Sequence, residues 1–168
     1  MQDFISNLDL GAKGLWFPVT VSIIFAITVI IIPKKNISWR EIYITFSVVG
    51  FVTWFCDGLV AREFDLVDLG DPNKAGLGDT LCYTFVPSSL AILYLNYLSK
   101  NNKWTLTIIF TVVSLLIELG MVYVGYMNYK GWNSLISIIV FLIVFGLLLP
   151  IHIRVIRNEF AGLKTSLP

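Results

Sequence analysis

Five stretches of this chain are too apolar to meet water along a full helical face, and each ends in a polar link. They run at about Leu15–Ile32, Trp39–Val60, Thr80–Leu98, Trp104–Met127 and Asn133–Ile151. Hydrocarbon offers the backbone no water, so a spanning segment must satisfy its own N–H and C=O groups. A helix of ~20 residues does so across a ~30 Å core. The sequence therefore predicts an all-α fold, a polytopic membrane helical bundle of about five transmembrane helices in a single domain over 1–168. Composition agrees: 14% of the 168 residues are charged, where a soluble domain carries about 25%. A net charge of +1 leaves no basic surface for nucleic acid, which is excluded as a partner. The first stretch is the shortest, and a re-entrant piece is the alternative there.

The links fix topology. Pro33–Asn36, Ser99–Lys103 and Asn128–Trp132 are short and force antiparallel neighbours, whereas the link 61–79 is long and acidic. Lys34, Lys35, Arg40, Lys100, Lys103, Arg154, Arg157 and Lys164 gather at one side, and Lys13, Arg62, Lys74 and Lys130 at the other. The richer side should be cytoplasmic, which places the N-terminus outside and the C-terminus inside. Trp16, Trp39, Trp104 and Trp132 fall at the ends of the stretches, where amphipathic rings sit at the membrane interface. The tail 1–14 puts Asp3 and Asp9 before its first lysine, unlike a cleaved leader; Phe4, Ile5 and Leu8 have the spacing of a short interfacial helix, and a frayed tail is the alternative.

Two carboxylates interrupt the apolar pattern. Asp57 lies three residues from Val60, and Glu118 lies nine residues before Met127, ~13 Å below the outer helix end at helical rise. A charge at such depth costs ~2.5 kcal/mol or more and usually faces a bundle interior or a wet cavity. Helical spacing aligns Thr107, Thr111, Ser114 and Glu118 on one helix and Gly50, Thr53 and Asp57 on another. A third carries Asp79, Tyr83, Pro87, Leu90, Tyr94 and Tyr97. Pointing these stripes at one another predicts one acid-lined hollow, open outward, with Glu118 at its foot. Tyr83, Tyr94, Tyr97, Tyr123 and Tyr126 are its candidate aromatic lining, and the turn-rich segment 70–78 is a candidate lid. Arg62 either pairs with an acid or, as favoured here, snorkels to the headgroups. Glu118 reads either as a proton donor and acceptor or as a hydrogen-bonding post between helices.

Metal chemistry finds no support. The acids of the long link do not have EF-hand spacing, no CxxC pair occurs, and His152 is the single histidine. No phosphate-cradling loop or nucleophile elbow is present, so neither metal nor cofactor is expected. Cys56 and Cys82 lie at similar depth, and free thiols are expected ahead of a disulfide.

From Glu118 onward the chain reads Tyr126, then Tyr129-Lys130-Gly131-Trp132-Asn133-Ser134. An acid in the penultimate span, this Tyr/Gly/Trp hairpin and the upstream Pro87 resemble an uncharacterised family of small polytopic membrane proteins from endospore-forming Firmicutes. The resemblance covers about the last two thirds of the chain. It implies a multi-pass protein of the bacterial plasma membrane and supplies no activity.

Two functions fit these residues. One is a non-enzymatic binding, sensor or accessory protein holding a membrane lipid or small amphiphile, with Thr53, Asp79, Tyr83, Ser114 and Tyr126 as candidate ligand contacts. The other is an integral membrane enzyme using Glu118 and Asp57 as acid and base on an isoprenoid or lipid substrate. A coupled transporter is disfavoured, because no repeat pair is visible. A membrane-protein partner or a second copy of the chain stays open.

Overall fold

All five apolar stretches form helices. The computed structural model describes residues 7–72, 74 and 76–166. The expected interfacial residues Phe4 and Ile5 lie outside the described residues, as do Asn73 and Ala75 of the candidate lid. Helix α1 spans Trp16–Ile31 and α2 spans Trp39–Asp57, which continues into a π-helical turn, Gly58–Glu63. Strand β1 (Val67–Leu69) precedes α3 (Leu77–Tyr97) and α4 (Lys103–Tyr123). Strand β2 (Met127–Tyr129) leads to α5 (Ser134–Ile143), which runs through a second π-helical turn, Val144–Leu148, into α6 (Leu149–Ser166).

Three helices are long and apolar enough to cross a membrane: Trp39–Glu63, Lys103–Tyr123 and Ser134–Asn158. α1 is apolar but shorter. α3 matches α4 in length but carries Asp79, Thr80, Thr84, Ser88, Ser89, Asn96 and three tyrosines. This helix, rich in hydroxyl and amide side chains, is the centre of the molecule. From Ser88 to Asn96 every side chain of α3 is buried, with α1 and α2 packed along it and α4 and α6 touching it. The periphery is greasy instead. Ile27, Phe51, Ile108, Leu116 and Ile139 all face outward, while the buried positions of α4 are Thr107, Thr111, Ser114 and Glu118. A water-soluble bundle has the reverse polarity. Here the polar groups turn inside, where the buried Thr111 hydroxyl is left without a partner among the described residues, and the apolar surface is left to a hydrocarbon-like surrounding.

Local chemistry sets the helix boundaries. Ser38 caps α2: its Oγ accepts from Glu41 N, and the Glu41 carboxylate accepts from Ser38 N at 2.7 Å. Asn133 caps α5, its side-chain oxygen accepting from the amides of Leu135 and Ile136 at 3.0 and 3.1 Å. At this basic end of the molecule, fully buried Asn96 ties down the α1–α2 link. Its oxygen accepts from Lys35 N (2.8 Å) and Asn36 N (3.4 Å), and its amide donates to the Pro33 carbonyl (3.0 Å). Glu41 also receives Arg157 Nε at 2.7 Å, which anchors α6 to the same end.

The opposite end is closed by a small cap that the sequence reading missed. The acidic link and the α4–α5 link pair as an antiparallel ribbon, with Val67 opposite Tyr129 and Leu69 opposite Met127. Val67, Leu69, Tyr126 and Met127 form a separate small core beneath it. Three-residue strands lack a periodicity that sequence can reveal, and their register depends on links some sixty residues apart.

Candidate functional site

The expected single hollow between α2, α3 and α4 is not what forms. The polar stripes divide into two seams, and each holds one of the two carboxylates that interrupt the apolar pattern.

The first seam joins α2 to α3. Ser88 Oγ donates to the Phe46 carbonyl at 3.3 Å beside Gly50, where a Cβ would meet the Ser88 hydroxyl at 3.4 Å, so the two helices approach closely. One turn higher, Trp54 Nε1 donates to Thr84 Oγ1 at 3.2 Å. Above that, the Tyr83 hydroxyl neighbours the Asp57 carboxylate, and the Trp54 and Tyr83 rings meet edge to face at 5.6 Å. The seam then opens into a cavity of about 710 Å³. Trp54, Asp57, Tyr83 and Asp79 form its floor and wall. Ala61 and Arg62 flank it, β1 supplies Val67, Asp68 and Leu69, and Asp65, Pro72, Lys74 and Lys130 complete the lining.

The π-helical turn explains how Arg62 reaches this cavity. In an α-helix at ~3.6 residues per turn, a residue five positions after Asp57 lies far round the cylinder. An i→i+5 hydrogen-bonded turn holds about one residue more, which returns that residue towards the face of Asp57. The amides of this region close in that way: Phe64 N donates to the Leu59 carbonyl at 2.9 Å. Asp57 and Arg62 accordingly sense each other's charge.

Charges around the cavity are unevenly matched. Lys130 pairs with Asp65 (2.7 Å) and Asp68 (3.1 Å), which hold its ammonium above the usual lysine range. Lys74 pairs with Asp71 (2.9 Å) and Asp9 (3.6 Å). Among the described residues, neither Asp57 nor Asp79 forms an ion pair, and neither does Arg62. Asp79 stands in the first turn of α3, just ahead of the apolar stretch. It accepts from Tyr126 Oη at 2.6 Å and Gly76 N at 3.2 Å. Burial nonetheless pushes its pKa up to about 6, assisted by the negative charges of Asp57 and Asp9 against the opposing effect of those two hydrogen bonds. Burial and the Asp79 charge also raise the Tyr126 phenol, so it stays a donor. Gly78 makes this contact feasible, because a Cβ there would collide with the Tyr126 hydroxyl.

The second seam joins α4 to α5 and β2. Glu118 Oε1 accepts from Tyr129 Oη and, at 2.7 Å, from Ser137 Oγ. Trp132 Nε1 donates to Ser137 Oγ at 2.7 Å, and Tyr129 Oη also lies 3.4 Å from Ser134 Oγ. Glu118 is 6% exposed and is not among the residues lining the cavity.

The sequence-derived site is therefore split. Asp57, Asp79 and Tyr83 come together at the cavity. Ser114 is buried on α4 and does not line the cavity, and Glu118 belongs to the other seam, so Glu118 and Asp57 do not face one void as an acid–base pair would. Thr53 turns back on its own helix and donates to the Val49 carbonyl at 2.9 Å. Tyr126 supports Asp79 without lining the cavity. Of the other tyrosines, Tyr94 is fully buried beside Thr107 at 3.3 Å, and Tyr123 is 90% exposed. Arg62 is exposed and lines the cavity without an ion pair among the described residues. Trp54 was missed, although it lies one helical turn before Asp57. Ser137, Lys130 and Asn96 were missed because their partners are remote in sequence. Cys56 is exposed and Cys82 buried, both as free thiols. Among the described residues no group of three or more His, Cys, Asp or Glu side chains is arranged to hold a metal ion. The chain matches no protein-family model, no curated protein and no solved structure.

Proposed function

We propose that this chain is a multi-pass plasma-membrane protein of five spans, with the strand-capped end outside and the basic end in the cytoplasm. In this reading it binds a lipid or small amphiphile in the outward-facing cavity above the α2–α3 seam. The observation that carries the reading is the cavity itself. Its volume of about 710 Å³ falls within the ~300–1,000 Å³ of small-ligand sites. It combines aromatic and aliphatic walls (Trp54, Tyr83, Val67, Leu69) with seven charged side chains, so the lining suits a charged headgroup more than an acyl chain. The exposed faces of Phe51 and Phe55 on α2 continue below it, as a lipid-facing helix requires. The bacterial plasma membrane follows from the family resemblance and from the eight-to-four division of basic residues.

Acid–base catalysis by Asp57 and Glu118 together draws no support from two acids in separate surroundings. A binding, sensing or accessory role needs only the cavity. The test is to purify the full chain and Ala61→Trp, which fills the cavity from its flank, in a mild detergent and to quantify retained lipid by mass spectrometry. Wild type should retain a defined lipid near one per chain, and Ala61→Trp should lose most of it. Equal retention by both would overturn the proposal.

A further inference from the structure

Resting on the cavity reading above, we infer that the ligand's head is zwitterionic, with an ammonium group seated on Asp57 and Asp79 and a phosphoryl group on Arg62, as in an aminophospholipid. The argument begins with what is left over once the internal pairs are made. The cavity's lysines already face aspartates: Lys130 holds Asp65 and Asp68, and Lys74 holds Asp71 and Asp9. Asp79 keeps only neutral donors, the Tyr126 hydroxyl and the Gly76 amide, and Asp57 has the neutral Tyr83 hydroxyl as its neighbour. Their negative charges act on one another across the floor. Two partly desolvated carboxylates with no cation at ion-pair distance are costly, and an incoming ammonium relieves that cost directly.

The walls fit the same group. The faces and edges of Trp54 and Tyr83 adjoin Asp57, and aromatic rings beside carboxylates favour alkylammonium heads. Arg62 is the complementary half. The π-helical turn brings its guanidinium towards the cavity, where it forms no ion pair among the described residues. A planar guanidinium suits bidentate contact with a phosphoryl group. A purely anionic head would meet the two floor acids, and a purely cationic one would leave Arg62 unanswered.

The test is calorimetric titration of the detergent-solubilised full chain with short-chain probes. The probes are dihexanoyl phosphatidylethanolamine, dihexanoyl phosphatidylglycerol and free O-phosphoethanolamine. Phosphatidylethanolamine should bind at least about tenfold more tightly than phosphatidylglycerol. Asp57→Asn should shrink that ratio to about twofold, and Arg62→Gln, a change at an exposed side chain that does not endanger folding, should weaken phosphatidylethanolamine by about fivefold. If free O-phosphoethanolamine binds as tightly as the lipid, the zwitterion assignment holds and the source is soluble. Equal binding of the two lipids, abolished by Ala61→Trp, would overturn the headgroup assignment and leave the cavity reading intact. No saturable binding of any probe to wild type would overturn both.

Discussion

Asp57 and Glu118 are both carboxylates within helices of lipid-compatible composition, yet their surroundings have little in common. Glu118 is enclosed by donors that converge on one of its oxygens: Tyr129 and Ser137 directly, with Trp132 holding Ser137 from behind. Every one of those donors lies in β2, the α4–α5 link or α5, so Glu118 joins α4 to the segment that follows it. Asp57 has one hydroxyl neighbour from α3 and lines an open cavity. A buried acid that organises a network is part of the scaffold, because removing it strands several donors at once. An acid with one hydroxyl neighbour and a cavity keeps unused capacity for a ligand. Burial depth alone would have ranked Glu118 as the functional group; its hydrogen-bond partners rank it as structural.

The largest expected effect of breaking this contrast comes from Glu118→Ala. Tyr129 and Ser137 lose their acceptor in a buried site, and the detergent-solubilised protein should lose about 3 kcal/mol in a reversible unfolding titration. Glu118→Gln keeps an acceptor oxygen and should cost about 1 kcal/mol. Asn96→Ala comes next. It frees the Lys35 and Asn36 amides and the Pro33 carbonyl together, which should cost about 2 kcal/mol by the same titration. Tyr126→Phe removes the hydroxyl that reaches Asp79 and should cost about 1 kcal/mol, with the loss concentrated in hydrogen-exchange protection of β1 and β2. Asp57→Asn should be the mildest for stability, within about 0.5 kcal/mol of wild type, while changing ligand selectivity most.

Asp79 adds a pH dependence. Its folded-state pKa, about 6, lies above that of an unfolded aspartate, near 3.8. The folded chain therefore binds this proton more tightly. The resulting stabilisation is complete below the unfolded value and is lost as pH rises through the folded one. Melting wild type and Asp79→Asn in parallel should show the wild-type advantage falling between pH 5 and pH 7. A difference that stays flat over that interval would exclude the elevated pKa.

Much of this architecture was legible because it depends on local pattern. The five helices follow from apolar stretches bounded by Pro33, Lys100 and Gly131, and the buried stripe of α4 follows from the spacing of Thr107, Thr111, Ser114 and Glu118. Which stripe faces which was not legible. Spacing shows that Glu118 and Asp57 each occupy a polar face, but the partner face is chosen by long-range packing. Here α3 fills the centre and separates them. Asp79 and Tyr83 were readable as neighbours because they are one turn apart on α3. The π-helical turn after Asp57, which no sequence pattern announced, is what places exposed Arg62 at the cavity. Asn96 gave no sign in sequence, since its three partners lie some sixty residues earlier.

The central claim is that Asp57 faces an accessible cavity while Glu118 is sealed between helices. The most direct measurement is carboxylate modification of the native, detergent-solubilised chain with a water-soluble carbodiimide and glycinamide, followed by site-resolved mass spectrometry, with the unfolded chain as reference. The account expects rapid modification at Asp57 and protection of Glu118 until unfolding. Modification of both residues at similar rates in the folded protein would contradict it.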